Sequence, residues 1–409
     1  MTGPAPDRSR GGADRGASLG APLSWPRQSF NFALFFFGYY GFIGVFSPYA
    51  SLYFAHQGLT PAEVGVLLSL AQVVRIFGPG MWGWIADHRQ QRVALLRFAG
   101  AAAVLAFTGI FAGHAFTHFL AVMLLLNLFN SAQGPLSEAL MLSEMRGDLT
   151  HYGKLRLWGS VGFIASVLVA GQLTDWRGIG MMPWIALALL GMMLTASLRM
   201  RETAPPLPKP AAGAVAALLR RREVQAFFLS TFLMIGAHAA LYVFYSLYLA
   251  QLGYSNTVIG LMWSLGVLAE IVFFYYQAPI FRRFGVRRLM IACLLIAALR
   301  FAMIGLGGGS VVCLLLAQLM HAATFGVHHS ASVATLQRWF SGPLQGRGQG
   351  LYFSISYGLG GTLGGLTLSL FWDKFGGQAV YLAAALFALA GAAAAALSYR
   401  WQSQRERTT

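Results

Sequence analysis

Residues 51–70 read SLYFAHQGLTPAEVGVLLSL, and residues 246–265 read SLYLAQLGYSNTVIGLMWSL. At an offset of 195 they share eight of twenty residues: Ser, Leu, Tyr, Ala, Gly, Gly, Ser and Leu. Each stretch reads as the end of one apolar helix, a short turn with a glycine (Gly58 or Gly253), and the start of the next helix. A segment recurring at the same place in each half marks two repeats inserted the same way round. The alternative is chance likeness between apolar helices, which the matched turn glycines disfavour.

The composition fits a lipid solvent. Of 409 residues, 57% are hydrophobic and 10% charged, with a mean hydropathy of +0.60; a soluble domain carries about a quarter charged residues. A helix needs roughly 20 apolar residues to cross a bilayer. Spans are expected near 30–56, 61–86, 94–113, 117–142, 156–174 and 181–199, then 223–250, 257–281, 287–306, 310–337, 349–372 and 378–399. The Pro-rich and basic stretch 200–222 reads as a cytoplasmic linker between bundles 30–199 and 223–400. Residues 1–29, rich in Gly, Pro, Arg and Ser, read as a flexible cytoplasmic tail, and 401–409 as a second tail. The expected fold is an all-α membrane protein of twelve transmembrane helices in two pseudo-symmetric six-helix bundles.

The net charge of +16 suggests nucleic acid at first sight, but its placement argues against that partner. All but four of the 29 lysines and arginines fall in the tails or in the loops of one side. The exceptions are Arg177 and Lys374 outside, and Arg75 and Arg300 within spans. That asymmetry orients a multi-pass protein of the cell inner (plasma) membrane with both termini cytoplasmic. Cys293 and Cys313 lie inside apolar runs and are expected as buried thiols.

Several ionisable residues fall near the middle of the bilayer. Glu270 is thirteen residues into its span, or about 20 Å at the helical rise. Arg300, His321 and His238 reach a similar depth, and Arg75 stands at the position equivalent to Glu270, since 75 and 270 differ by 195. Glu138 and Arg156 lie nearer the cytoplasmic side. Such groups cost at least a few kcal/mol unless paired or facing a wet cavity. Glu270–Arg300 and Glu138–Arg156 are the expected pairs, with static helix locking as the plainer alternative. Two acids, three arginines and several histidines exceed what scaffolding requires. His238 reads equally as a packing residue or a proton carrier. His321, His328 and His329 lack an accompanying carboxylate or cysteine, so no metal site is expected. Tyr39 and Tyr40 could line a cavity.

The segments HYGKLRLWGSVGF (151–163), IGAHAALY (235–242), GYSNTVIGLMWSLGVLAEI (253–271) and FRRFG (281–285) resemble the phenylpropionate permease branch of the major facilitator superfamily. The likeness covers essentially all twelve spans. This branch is similar to lactose permease, a sugar–proton symporter. The resemblance implies substrate-binding roles for Glu138, three residues after Pro135, and for Arg156, three after Gly153. Phe163 matches the tryptophan on which the sugar stacks, without its indole N–H. Arg300 and His321 match the helix-nine arginine and helix-ten histidine, while Glu270 lies two residues from the helix-eight glutamate. The permease's proton-carrying glutamate is replaced by Thr324, which leaves Glu270 as the implied proton carrier. After helix two, Gly83, Asp87, Arg89 and Arg92 keep part of a loop signature whose second glycine is absent; Asp87 is implied in cytoplasmic gating.

The resulting expectation is a proton-coupled importer of a small organic solute, an aromatic or other monocarboxylate. Arg75, Arg156 or a freed Arg300 would hold the carboxylate. Glu270, with Arg300, His321 and His238, would couple the proton. A sugar or nucleoside symporter and a drug exporter are the alternatives. A nucleophile–base pair, Walker motif or cofactor fingerprint is not apparent, so no enzyme and no cofactor are expected. The proton gradient would supply the energy, and the monomer would function alone.

Overall fold

The computed structural model describes residues 25–144, 149–202, 215–341 and 344–408. Most of the tail read over 1–29, and residues 203–214 of the linker, lie outside these. The first half comprises α1 (Trp25–His56), α2 (Pro61–Ala71), α3 (Val74–Arg89), α4 (Arg92–Thr108), α5 (Phe116–Asn130), α6 (Gln133–Glu144), α7 (Leu149–Arg177) and α8 (Met182–Arg199). A short α9 (Val215–Leu219) precedes α10 (Arg222–Ala239), α11 (Tyr245–Gln251), α12 (Asn256–Gly307), α13 (Val311–Leu319), α14 (His328–Trp339), α15 (Gln345–Tyr352) and α16 (Gly361–Thr408). Helix thus begins at Trp25 and runs to Thr408, inside both stretches read as tails.

Among the described residues, ten continuous helical stretches are long and apolar enough to cross a bilayer. Two are of double length, Asn256–Gly307 and Gly346–Arg407. The 52 residues of the first would extend about 78 Å as one straight helix, far beyond a hydrocarbon core of roughly 30 Å. Each is broken once, at Gly285 (φ 73) and at Gly376 (φ 78). These breaks fall between the spans expected at 257–281 and 287–306, and at 349–372 and 378–399. The chain is an all-α, multi-pass membrane protein, and the apolar side chains on its surface, such as Trp84, Leu105 and Leu386, are those a lipid solvent would meet.

The repeat read from the sequence extends to the backbone. Positive φ occurs at Gly58 (97) and Gly253 (87), and at Gln90 (50) and Gly285 (73), both pairs at the offset of 195. Gly178 (φ 86) and Gly376 (φ 78) form a third pair, three residues out of register. Helix packing repeats as well. In the first half α1 crosses α7, where a Cβ on Gly44 would lie 2.6 Å from the Phe163 carbonyl oxygen. In the second half α10 crosses α16, where a Cβ on Gly364 would lie 2.4 Å from Gly236 Cα. Small residues at such crossings let two backbones approach, the usual source of helix association where lipid offers no hydrophobic drive.

The halves meet at the end bearing the Gly58 and Gly253 turns. Asp175, near the end of α7, accepts from the backbone N–H of Asn256 (2.9 Å) and Thr257 (2.8 Å), and from the Thr257 hydroxyl (2.6 Å). Its charge sits on the first turn of α12, where the helix dipole favours an anion. Beside it, Tyr49 OH reaches the carbonyls of Val167 and Asn256, both at 3.0 Å. Nearer the middle, Ser354 Oγ donates to Ile76 O at 2.7 Å. The described hydrogen bonds and ion pairs that cross between the halves all lie from this turn end to mid-membrane.

Gln90 occupies the left-handed region that costs a side chain roughly 1 kcal/mol, so Gln90→Gly should raise the thermal unfolding midpoint slightly. Gly285→Ala should lower it, by about 1–3 kcal/mol equivalent. Separately, Asp175→Ala should loosen the turn end. In a chain with both cysteines replaced by serine, spin labels at positions 56 and 251 should report a longer mean distance; an unchanged distribution would show that Asp175 does not hold the halves together.

Candidate functional site

The helix of the second span is interrupted at Gln72 and Val73, where N–H groups turn back to carbonyls three residues earlier. Arg75 therefore sits in the first turn of α3, exposed. Among the described residues its side chain makes no hydrogen bond and no ion pair. Its charge reaches Tyr39 of the first half and Tyr242 of the second, which places it near both halves. Glu138 on α6 and Arg156 on α7 form the expected pair, Oε1 to Nε 3.6 Å, with about a third of each side chain exposed. The Arg156 guanidinium lies 3.9 Å from the centre of the Tyr40 ring. A contact this long is not a two-pronged salt bridge.

The second half departs from the expected pairing. Glu270 on α12 does not contact Arg300; its Oε1 lies 2.9 Å from His321 Nε2. The approach is close but off the hydrogen-bonding direction. Arg300 is fully buried and donates to three neutral acceptors instead: Ala317 O (2.8 Å), Thr324 Oγ1 (3.0 Å) and Gln318 Oε1 (3.2 Å). The reason is local. Gln318 and Thr324 stand either side of His321, so this stretch offers Arg300 two side-chain oxygens and a carbonyl while turning His321 to Glu270. Thr324, which removes a carboxylate in the resemblance, is thus part of the seat for Arg300.

His238 is buried on α10; its Nδ1 donates to Met234 O (2.9 Å), and Nε2 has no partner. Its ring lies 6.2 Å from His321. Phe325 stacks between His321 (5.5 Å) and His329 (6.5 Å). His329 Nδ1 in turn faces the hydroxyls of Tyr357 (3.4 Å) and Tyr352 (3.5 Å). Three π-helical stretches, Ala240–Phe244, Ala322–Val327 and Phe353–Gly360, adjoin this group. Such wide turns leave backbone groups loosely paired and are frequent at functional sites.

The two charged groups are within reach of one another: Glu270 feels Arg300, His329 and, across the halves, Arg156. The structure therefore brings Arg75, Glu138 and Arg156 from one half together with Glu270, Arg300, His321 and His238 from the other. Phe163 is 8% exposed in the hydrophobic core, and Tyr40 is the ring against Arg156. The side chain of Asp87 lies outside those described. Tyr242, Phe325, His329 and Gln318 belong to the group and are not among the site residues expected from the sequence. The signal was present: Tyr242 follows His238 by four residues, and Phe325 and His329 follow His321 by four and eight. Those spacings share one helix face.

Residues 29–383 match the model of the MFS_1 like family. The chain belongs to this family. It is 29% identical over 363 residues to the probable 3-phenylpropionic acid transporter of Escherichia coli K12, covering 87% of this chain and 94% of that protein. It is 30% identical over 290 residues to the maltose permease of Geobacillus stearothermophilus, covering 69% and 73%. A putative nucleoside transporter of E. coli is 24% identical over 76% of this chain and 77% of its own length. Among solved structures, the nucleoside transporter NupG superposes with a TM-score of 0.76 at 17% identity, over 91% of this chain and 99% of that one. A bacterial homologue of the human lysosomal transporter Spinster, in an inward-facing and unoccupied conformation, gives 0.72 at 14% identity, over 93% and 98%. The relatives are transporters, and the chain is accordingly a secondary transporter of a small solute.

The seat of Arg300 can be tested directly. Thr324→Val leaves a buried guanidinium N–H without its acceptor and should destabilise the protein by about 1–3 kcal/mol. Thr324→Ser should restore most of that loss in the thermal unfolding midpoint.

Proposed function

We propose that the protein is a proton symporter that takes up a small organic monocarboxylate by alternating access, an aromatic acid of the phenylpropionate type being the best-matched class. The single observation that carries this reading is Arg75, exposed, without a hydrogen-bond or ion-pair partner among the described residues, and with Tyr39 and Tyr242 of the two halves within reach of its charge. Around it stand Arg156 and Arg300 against only Glu138 and Glu270, so the central group has one arginine more than it has carboxylates. A monoanionic solute supplies the missing charge. Tyr39, Tyr40 and Tyr242 offer ring surface near that cation, and the 29% identical relative is a probable 3-phenylpropionic acid transporter.

Glu270 is the proton carrier in this reading. Because Glu270 lies 2.9 Å from His321, a proton on the acid would act first on the imidazole, while Arg300 stays seated on Thr324 and Gln318. This changes the mechanism expected from the sequence, in which Arg300 itself was freed. The solute carboxylate then falls to Arg75, with Arg156 beside it. The arginine-rich loops and both termini are cytoplasmic by the distribution of basic residues. The contacts at the turn end then seal the outer side of an inward-facing state. The protein works in the cell inner membrane as a monomer, and its energy source is the proton gradient rather than a bound cofactor.

A sugar or nucleoside is the second reading, favoured by the Glu138–Arg156 pair, which can grip hydroxyls from both sides, and by the maltose permease relative. In cells expressing the protein, labelled 3-phenylpropionate should accumulate and be competed by other aromatic acids but not by maltose or uridine. Arg75→Gln should reduce that uptake at least tenfold. Glu270→Gln should abolish accumulation against a gradient while sparing exchange. Competition by maltose or uridine, with none by aromatic acids, would favour the second reading.

A further inference from the structure

Residues 271–372 contain neither aspartate nor glutamate, yet they hold Arg282, Arg283, Arg287, Arg288, Arg300, Arg338 and Arg347. Apart from the buried Arg300, these belong to the basic-loop end of the second half. The first four bracket the break at Gly285, and all four are exposed. The repeat sharpens the asymmetry. Arg282 is the counterpart of Asp87, so the second half carries a cation where the first carries an acid.

The acids that could neutralise this turn are engaged or distant in the chain. Glu223 is bound to Arg405 at 2.9 Å. Glu406, three residues beyond the Ser403 that Arg287 contacts, accepts from Gln402 at 3.2 Å and forms no ion pair with these arginines among the described residues. Asp373 lies beside the break at Gly376, at the opposite end of its span. Among the described residues, the contacts of these arginines are neutral: Arg287 reaches Ser403 Oγ at 3.5 Å, and Arg283 lies 5.6 Å from the Phe284 ring. Arg287 and Arg338 both act on Tyr399, which joins the turn to the end of α14 as one positive patch.

The level of this patch is marked by aromatic residues. Tyr275 and Tyr276 precede it by one to two helical turns, and Phe284 lies within it; all three are exposed. Aromatic rings followed by arginines are the pattern of a helix end at the membrane–water interface. There the abundant anion is the phosphate of a lipid headgroup, and arginine's planar fork matches phosphate oxygens in pairs.

We propose that the turn around Gly285 is a binding site for anionic phospholipid headgroups, formed by Arg282, Arg283, Arg287 and Arg288. This site is separate from the central charged group and independent of which solute the protein carries. It tethers the end of the second half that must move against the first, so lipid composition would act on the protein at a defined place.

The test is thermal unfolding and native mass spectrometry of the purified full chain in a neutral detergent, with phosphatidylglycerol or phosphatidylcholine added. The wild-type protein should retain phosphatidylglycerol and unfold at a higher temperature with it than with phosphatidylcholine. Inorganic phosphate at the same concentration should neither stabilise the protein nor displace the lipid. The combined Arg282→Gln, Arg283→Gln, Arg287→Gln, Arg288→Gln variant should lose this preference, by about fivefold in affinity per arginine removed. The corresponding four-lysine variant should retain much of it, which separates loss of charge from misfolding. Equal retention of the two lipids by the wild type, or an undiminished preference in the glutamine variant, overturns the proposal. Displacement by inorganic phosphate would make it a soluble-anion site instead.

Discussion

A guanidinium removed from water is the constraint on which the central part of this protein depends. Arg300 is fully buried inside a bundle that spans a bilayer, and no carboxylate touches it. Its charge is held by a carbonyl, an amide oxygen and a hydroxyl, all from one stretch of one span. Neutral acceptors satisfy its N–H groups but do not cancel its field, which still reaches Glu270 and His321. Cancelling that field requires an acid nearby that keeps its negative charge. A proton on Glu270 therefore alters the balance for every group around it, His321 first.

The same accounting links the halves. Arg75, Glu138 and Arg156 form a set with an excess cation on one side, and Glu270, His321 and Arg300 a set with a titratable acid on the other. The two halves are joined at one end by the hydrogen bonds of Asp175 and Tyr49. An anionic solute entering from the other end would meet a positive field before any close contact. A neutral sugar would have to rely on the Glu138–Arg156 pair, leaving Arg75 without a role in binding.

The fold was legible because its determinants are coarse. Span length and one repeated turn sufficed to read an all-α membrane fold with a pseudo-symmetric repeat, and the turn glycines, Gly58 and Gly253, recur with matching backbone. What the sequence could not reveal was rotation about a helix axis. Counting residues along a span sets Glu270, His321 and Arg300 at a similar expected depth, but depth does not say which way a side chain faces. The π-helical stretch Ala322–Val327 adds an uneven rotation within the span, and α3 begins after a break that its counterpart around Glu270 lacks. The expected Glu270–Arg300 pair failed on this rotation. The Glu138–Arg156 pair, on spans without such irregularity at those residues, did form.

In the proposed mechanism one proton accompanies each solute anion, carried on the acid beside His321. Purified protein in vesicles with a weakly buffered exterior, and no imposed gradient, tests it most directly. Adding 3-phenylpropionate outside should make the exterior more alkaline as protons enter with the solute, and Glu270→Gln vesicles should show no such change. Solute entry without proton movement, or entry that strictly requires Na⁺, would contradict the account.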